Sequence, residues 1–470
     1  MKIKGKGVYS NGKILKDYGI VIEEGYIKEI IPNSEIGTND NTISVDGFIY
    51  PAFIESHAHI GEIANILSHI NGENFSFDEI ISAIEDRDVS FIFNVNFNKL
   101  SKEQFRHLFN LDKKIYMQSK DEHSVFVSKR FLESTSINCE SIDKNSLVFI
   151  DNEFIGIFKD NAIGSVKHLK EIKIDESVLV KVEEYFLSRG IVTITNFDFY
   201  IKDYLKDRKI RIVQGIQKDY LDDAILEGIK TGQGNDNFVY GPLKVFLDGS
   251  LGSQTAKMKD DYPFKGLLLL EEGAFDEIVK KANENGILVA VHAIGSEAVH
   301  IALKVFNKYK GLSKMNRIEH LQFIDQSDLP LLKETPFIPS MQPIHAKGDV
   351  DLYKKYMQGF RYAYAFNTVL KSKGFLIFGS DAPVEDASVF YGINAAVKHP
   401  LFYEESIQLD KAISAYTDWG GIYNYVPNRG SIEKGKLGDI VILKNEILED
   451  NLLNNEILSV FKGGEIAWTK

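Results

Sequence analysis

A single cysteine, Cys139, stands among 470 residues. No intrachain disulfide can form, and paired-Cys motifs for zinc or redox chemistry are absent, so a reducing compartment is expected. Basic charge is in deficit as well. The 55 Lys and Arg against 67 Asp and Glu give a net charge of −12, which argues against nucleic acid or an anionic membrane as the main partner. No apolar run approaches the length of a membrane span, and the opening MKIKGKGVYSNGK lacks the apolar core of a signal peptide. A GxSxG nucleophile turn and a Walker-type phosphate loop are missing too. These absences predict a cytoplasmic protein whose partner is a small-molecule substrate, with no nucleic acid and no membrane; a homo-oligomer stays open.

What is present is a composition typical of a soluble enzyme, 44% hydrophobic and 26% charged. The length predicts one large domain and a smaller one. Short strand patterns broken by Gly and Asn fill residues 1–50, and the same character returns over 425–470 in Asp439-Ile-Val-Ile-Leu, Ile457-Leu-Ser-Val-Phe and Glu465-Ile-Ala-Trp. Both ends are expected to pair into one small β-sandwich. Between them, over 51–424, lie eight apolar strand patterns: Ile54–His59, Ile191–Asn196, Ile210–Ile216, Leu243–Asp248, Ile287–Ala293, Arg317–Phe323, Phe337–Pro343 and Phe375–Asp381. Several are separated by segments with apolar residues at helical spacing, such as 275–283 and 298–306, and Gly286 and Gly374 stand where helix ends are expected. Eight buried strands with intervening helices predict an α/β fold, a (β/α)₈ TIM barrel. The gap after His59 is too long for one connecting loop, so residues 62–175 are expected to be a large insertion after barrel strand one, lying over the site.

The sharpest motif is His57-Ala-His59 after an apolar run. Side chains alternate along a strand, so these two imidazoles face the same way and make half of a metal site. In a barrel of this kind the site lies at the C-terminal strand ends. Those ends also carry Lys244, His292, His320 and Asp381. Singly, each has a plainer explanation: a satisfied core histidine, a lysine reaching out of the sheet, an aspartate capping a helix. Jointly, they would bury several polar groups with no stabilising role unless a metal is held there.

The set resembles the binuclear form of the amidohydrolase superfamily, over nearly the whole chain. The resemblance implies that His57 and His59 bind metal, that Lys244 carries a carbamate bridging two divalent ions, and that His292 and His320 serve the second ion. It also implies that Asp381 binds metal and moves the catalytic proton. Zinc is the ion expected. A narrower similarity, to the branch of N-substituted formamide deformylases, rests on Asp248-Gly-Ser-Leu-Gly-Ser-Gln-Thr-Ala, His292-Ala-Ile-Gly-Ser-Glu-Ala, Gln342-Pro-Ile-His345 and Gly379-Ser-Asp-Ala-Pro-Val. Asp121-Glu-His123-Ser resembles that branch's substrate-side loop, and substrate contacts are expected from His123, Asp248 and His345. Glu55 departs from the aspartate usual before His-x-His. The expected activity is metal-dependent hydrolysis of a C–N bond of amide or formamide type. The alternatives are a mononuclear deaminase-type relative and a non-catalytic scaffold on the same fold. The first needs a Glu closer to His292 than Glu297 and no strand-four lysine; the second should have lost ligands.

Overall fold

The eight apolar patterns of the central region hydrogen-bond side by side in chain order. They form β1 (Phe53–Ala58), β2 (Ile191–Asn196), β3 (Arg211–Gln217), β4 (Phe238–Phe246), β5 (Val289–Ala293), β6 (Arg317–His320), β7 (Ile338–Met341) and β8 (Ile377–Phe378). All neighbours run parallel, in the order β8-β7-β6-β5-β4-β3-β2-β1. The ring closes between its last and first strands through a parallel bridge of Ala58 with Ala382. Beside that bridge the Asp381 N–H donates to the His57 carbonyl (2.8 Å) and the His59 N–H to the Ala382 carbonyl (2.7 Å). The computed structural model describes residues 1–37, 41–170, 174–259, 262–311 and 315–470; residues 38–40 and 171–173 of the expected terminal and inserted segments lie outside that set.

Strands β1, β2, β5, β6 and β7 are buried throughout, as parallel strands covered on both faces must be. The amphipathic segments lie within helices Glu272–Glu284 and Ser296–Lys308. Gly374 is a left-handed C-cap (φ 80°), and Gly286 (φ 76°) follows the Asn285 cap. Several strands end earlier than their apolar patterns. β6 stops at His320 rather than Phe323, β4 starts at Phe238 and stops before Asp248, and β8 is reduced to Ile377–Phe378. The cause at β6 and β8 is backbone geometry. His320 (φ 69°), Leu321 (φ 47°) and Asp381 (φ 62°) adopt the left-handed region, which ends an extended path and which hydrophobic periodicity does not report.

Two further sheets come from the chain ends. One has four strands, Tyr26–Pro32, Tyr18–Glu23, Lys2–Lys4 and Thr42–Ser44, in that spatial order. The other has six and joins Phe48–Pro51 to Ile440–Leu443 in antiparallel register. They share a core in which Ile3, Ile20 and Ile27 meet Ile49, Ile440 and Ile442. A fourth sheet, of six strands, is built from segments between Ile70 and Lys159. Its alternating residues supply two cores: Ile92, Ile115 and Ile157 on one face, Phe93, Tyr116 and Phe158 on the other. Helix Lys102–Phe109, with a Ser101/Gln104 capping box, buries Phe105 and Leu108 in the first of these. No helix among the described residues is long and apolar enough to cross a membrane.

Candidate active site

The barrel's closing seam carries the centre of the site. Asp381 Oδ1 lies 3.3 Å from His57 Nε2 and 3.2 Å from His59 Nε2, and Asp381 Oδ2 lies 3.3 Å from His345 Nε2. His57, His320 and Asp381 each offer a ligand atom within 4.8 Å of the others. Both histidines of the His-x-His pair are turned by carboxylates behind them. His57 Nδ1 meets Glu319 Oε2 at 2.8 Å, and His59 Nδ1 meets Asp198 Oδ1 at 3.0 Å. A proton held on Nδ1 by Glu319 leaves the His57 Nε2 lone pair free, the arrangement that orients metal-binding imidazoles. At His59 burial opposes the charge, but Asp198, Glu122 and Asp381 raise the imidazole well above its ordinary value.

Electrostatics follow from burial. Desolvation, then the Lys244 charge, pushes the His57 imidazole down to about 4, so it is neutral at physiological pH. Burial also drives His292 and His320 well below the ordinary histidine value. Burial opposes ionisation of Asp381, yet His57, then His345, His59 and His320, hold its carboxyl well below the usual range. His320 Nδ1 is buried without a hydrogen-bond partner. An orphaned buried nitrogen costs free energy, and beside neutral imidazoles and an ionised carboxylate it is a lone pair suited to a cation. The residues present therefore fit a divalent metal ion.

Lys244 enters the same cluster from β4. Its Nζ lies 3.1 Å from His57 Nε2 and 4.4 and 4.9 Å from the ring centroids of Phe197 and Phe246. Burial lowers its pKa to about 8. The His292 ring packs 4.3 Å from that of His320, and its Nε2 lies 3.2 Å from the Gly249 carbonyl. The structure thus gathers His57, His59, Lys244, His292, His320 and Asp381 at one end of the barrel.

Above them opens a cavity of about 450 Å³, whose walls come both from the barrel (His292, His320, His345, Asp381) and from the inserted sheet (Phe97, His123, Lys159). The His123 ring is 5.4 Å from that of His292, and its Nδ1 is anchored 2.7 Å from Asp160 Oδ1. Burial opposes protonation of His123, but the Asp160 contact raises its pKa to about 9. Asp248 does not stand among these lining residues, which corrects the expectation of a substrate contact. It is fully buried, and its carboxylate accepts the N–H groups of Lys257, Ile294 and Gly295 at 2.7–3.0 Å. Three of its roughly four acceptor directions go to tying the Gly-rich loop to the end of β5. Glu297 lies in the first turn of the helix after β5 and does not line the cavity either.

Three acidic residues of the site escaped the motif reading: Glu319, Asp198 and Asp160. Glu319 directly precedes His320 and is clamped by Arg317 Nε at 2.7 Å. Asp198 follows the C-terminal end of β2 and also accepts the Gly61 N–H at 2.8 Å. Asp121 accepts the hydroxyls of Ser119, Ser250 and Ser253, joining the insertion to the barrel loop after β4. For Glu319 and Asp198 the available signal was their place at the ends of barrel strands, a weak one because acidic residues are ordinary there; Asp160 follows a strand of the insertion. Glu55 spans the seam: its carboxylate accepts the N–H of His57 and both the N–H and the hydroxyl of Ser380. Gly379 must be glycine for this, because a Cβ there would stand 2.5 Å from Glu55 Oε1 and 2.6 Å from the His57 nitrogen.

Comparison with known proteins agrees with this geometry. Residues 46–467 match the model of a family described as the amidohydrolase family. Protein LONG AFTER FAR-RED 3 of Arabidopsis thaliana is 23% identical over 517 aligned residues, covering 97% of this chain and 87% of its own. Among solved structures, an uncharacterized metal-dependent hydrolase from Pyrococcus furiosus superimposes with a TM-score of 0.75 at 20% identity, covering 95% of this chain and 99% of that one. A second, from Pyrococcus horikoshii OT3, gives 0.75 at 21% identity, with 96% and 99% covered. At these identities the solved structures speak for the fold.

Proposed function

The chain belongs to the amidohydrolase family, and from that premise we propose that it hydrolyses a C–N bond, of amide or formamide type and outside peptides, in a small molecule with the help of bound divalent metal. The observation that carries this reading is the convergence of two carboxylate-oriented Nε2 atoms, those of His57 and His59, on one Asp381 oxygen beneath the cavity. When bound, such ions supply Lewis acidity: they polarise a carbonyl and bring the pKa of water toward about 7.

In this reading His57, His59, His292, His320 and Asp381 would hold two ions, zinc by ligand preference, together with a carbamate on Lys244. The amine of Lys244 is suited to that. At a pKa near 8 part of it is neutral at physiological pH, and its nitrogen can bond to the carbon of carbon dioxide, releasing one proton to solvent and leaving an anion. A free ammonium in that position would repel the cations.

Asp381, ionised and lining the cavity at its barrel end, receives the proton of the attacking water and delivers it to the leaving nitrogen. His345, at Asp381 Oδ2, steadies the carboxylate through that exchange. Asp160 fixes His123 by Nδ1 and keeps the ring protonated at physiological pH, so its Nε2–H is free to donate to the oxygen on which charge develops. The absence of Glu297 from the cavity and the presence of Lys244 favour this over a mononuclear deaminase. The test is metal analysis combined with a hydrolysis screen of N-acyl and N-formyl amines. Protein purified without chelator should hold about two ions per chain, and Asp381→Asn should keep most of its metal while kcat falls by about 10²–10⁴-fold. A firm stoichiometry of one ion, or near-normal kcat in that variant, overturns the corresponding part.

A further inference from the structure

The cavity has two chemically distinct ends. At the barrel end stand the histidines and Asp381; at the other, the inserted sheet and its helix present an apolar wall that includes Phe97, Leu100, Phe105 and Ile157. The Phe97 and Phe105 rings pack 4.9 Å apart. Lys159 stands on the same wall. It is two residues from Ile157 on strand Glu153–Lys159, so both side chains leave the strand on one face and both line the cavity.

Charge on this wall is unbalanced. Most other charged groups lining the cavity away from the barrel histidines have partners: Asp121 accepts three serine hydroxyls, Asp349 accepts Tyr364 and Gln322, and Glu385 faces Lys120 at 3.4 Å. Lys159 makes no ion pair, and Asp160 and Asp121 act on it only beyond ion-pair distance. Among the described residues neither it nor Lys102, which also lines the cavity, has a carboxylate within ion-pair distance. Lys159 Nζ spends one hydrogen on the Ser253 carbonyl at 3.1 Å, and an ammonium carries three. Burial lowers its pKa, with Asp160 and Asp121 opposing and Lys102 adding to the fall. A partly buried cation next to a second cation, facing a cavity in a chain of net charge −12, is costly to the free protein and is relieved by an anion from outside.

We propose that the substrate is an amphiphilic amide bearing a carboxylate remote from the scissile bond, with its apolar body against the Phe97–Phe105 wall and its carboxylate on Lys159, assisted by Lys102. The class is that of N-acylated amino acids or monoamides of dicarboxylic acids. This rests on the hydrolase reading above and adds the part of the substrate the metal centre does not see. Lys159 is the specificity-determining residue. Replacing Lys by Met keeps the stem that packs on the wall and removes the charge.

The experiment pairs N-acetyl-ω-amino acids of graded chain length with the N-alkylacetamides lacking the carboxylate, and monoamides of dicarboxylic acids with their neutral counterparts. Binding by calorimetry and turnover are measured for metal-loaded native protein, Lys159→Met and Lys159→Arg. In the native protein at least one acid should bind about 10- to 100-fold more tightly than its neutral partner, the range of a charge-assisted hydrogen bond. That preference should vanish in Lys159→Met, with neutral ligands and metal content unchanged, and be kept in part by Lys159→Arg. Equal binding of acids and neutral partners by the native protein overturns the proposal, even if both are hydrolysed. So does a Lys159→Met variant that keeps the preference or weakens both ligands alike. Lys159-dependent binding of acids without hydrolysis of any amide upholds the carboxylate site and overturns the reaction assigned to the metal centre.

Discussion

Nδ1 of His57 lies 2.8 Å from Oε2 of Glu319, and both side chains are wholly buried. Burial opposes the charge on Glu319, but Arg317 and then His57 bring its pKa down to about 2, so it is ionised at any physiological pH. An ionised acceptor here fixes one tautomer of His57 and aims Nε2 into the site. Glu319→Gln weakens that acceptor and leaves Arg317 without its counter-charge. Metal affinity should fall by about 10- to 100-fold, measured by competition with a chromogenic chelator. Unchanged affinity would make the pair a purely structural one.

Lys244→Ala should lose metal and turnover together, because the proposed bridging anion and its stem are both removed. Added acetate or propionate should restore part of each, since a small carboxylate can occupy the space the side chain leaves. Metal content and rate, followed against carboxylate concentration, check this. A Lys244→Met protein with native turnover would contradict the bridging role.

His123 is predicted to act on the substrate and not on metal. Asp160→Asn weakens the 2.7 Å contact that orients it, and His123→Ala removes the donor itself. Both should leave metal content at the native level. In His123→Ala kcat/KM should fall by about 10²-fold or more, the effect of losing one oxyanion donor, with Asp160→Asn less affected. Loss of an ion from His123→Ala would reassign it as a ligand.

Stability in acid should depend on His399. Its Nδ1 accepts the N–H groups of Leu401 and Phe402, and its Nε2 donates to the Tyr364 carbonyl. Protonation of Nδ1 would break two of these contacts, and burial already pushes the imidazole down to about 4 from 6.5. Between those values the unfolded chain binds a proton that the native protein refuses, so stability falls as pH drops below 6.5 and the loss is complete near 4. The full loss is on the order of 3 kcal/mol. Denaturant titrations across this window should show a shallower pH slope for His399→Gln than for the native protein.

Much of the barrel could be read from apolar strand patterns spaced by helical ones, because each parallel strand is buried on both faces and leaves a continuous hydrophobic run. The inserted sheet is not legible in the same way, since its strands pair with partners that local pattern does not specify. His57, His59, His292 and His320 are conspicuous because a histidine at the end of an apolar strand has little other reason to be there. Asp198, Asp160 and Glu319 are not, because an acidic residue near a strand end is ordinary until the histidine it touches is known. Asp248 shows the opposite failure. Placed in a Gly-rich loop at a strand end, it looked available, and only the three backbone N–H groups folded onto it reveal a brace.

The bridge of Ala58 with Ala382 puts the join of the hoop and the catalytic centre in the same place. His57 and His59 stand on one side of that join and Asp381 on the other, so an ion gripping all three rivets the two ends of a long stretch of chain. Ligand bound only by the closed ring adds its binding free energy to the folded state. Chelation should therefore act on the mechanics of the barrel as well as on its chemistry, with amide protons along β1 and β8 exchanging sooner than those of β4 and β5. A cell short of metal would then hold a looser hoop, open to proteolysis at its seam, as well as an idle enzyme.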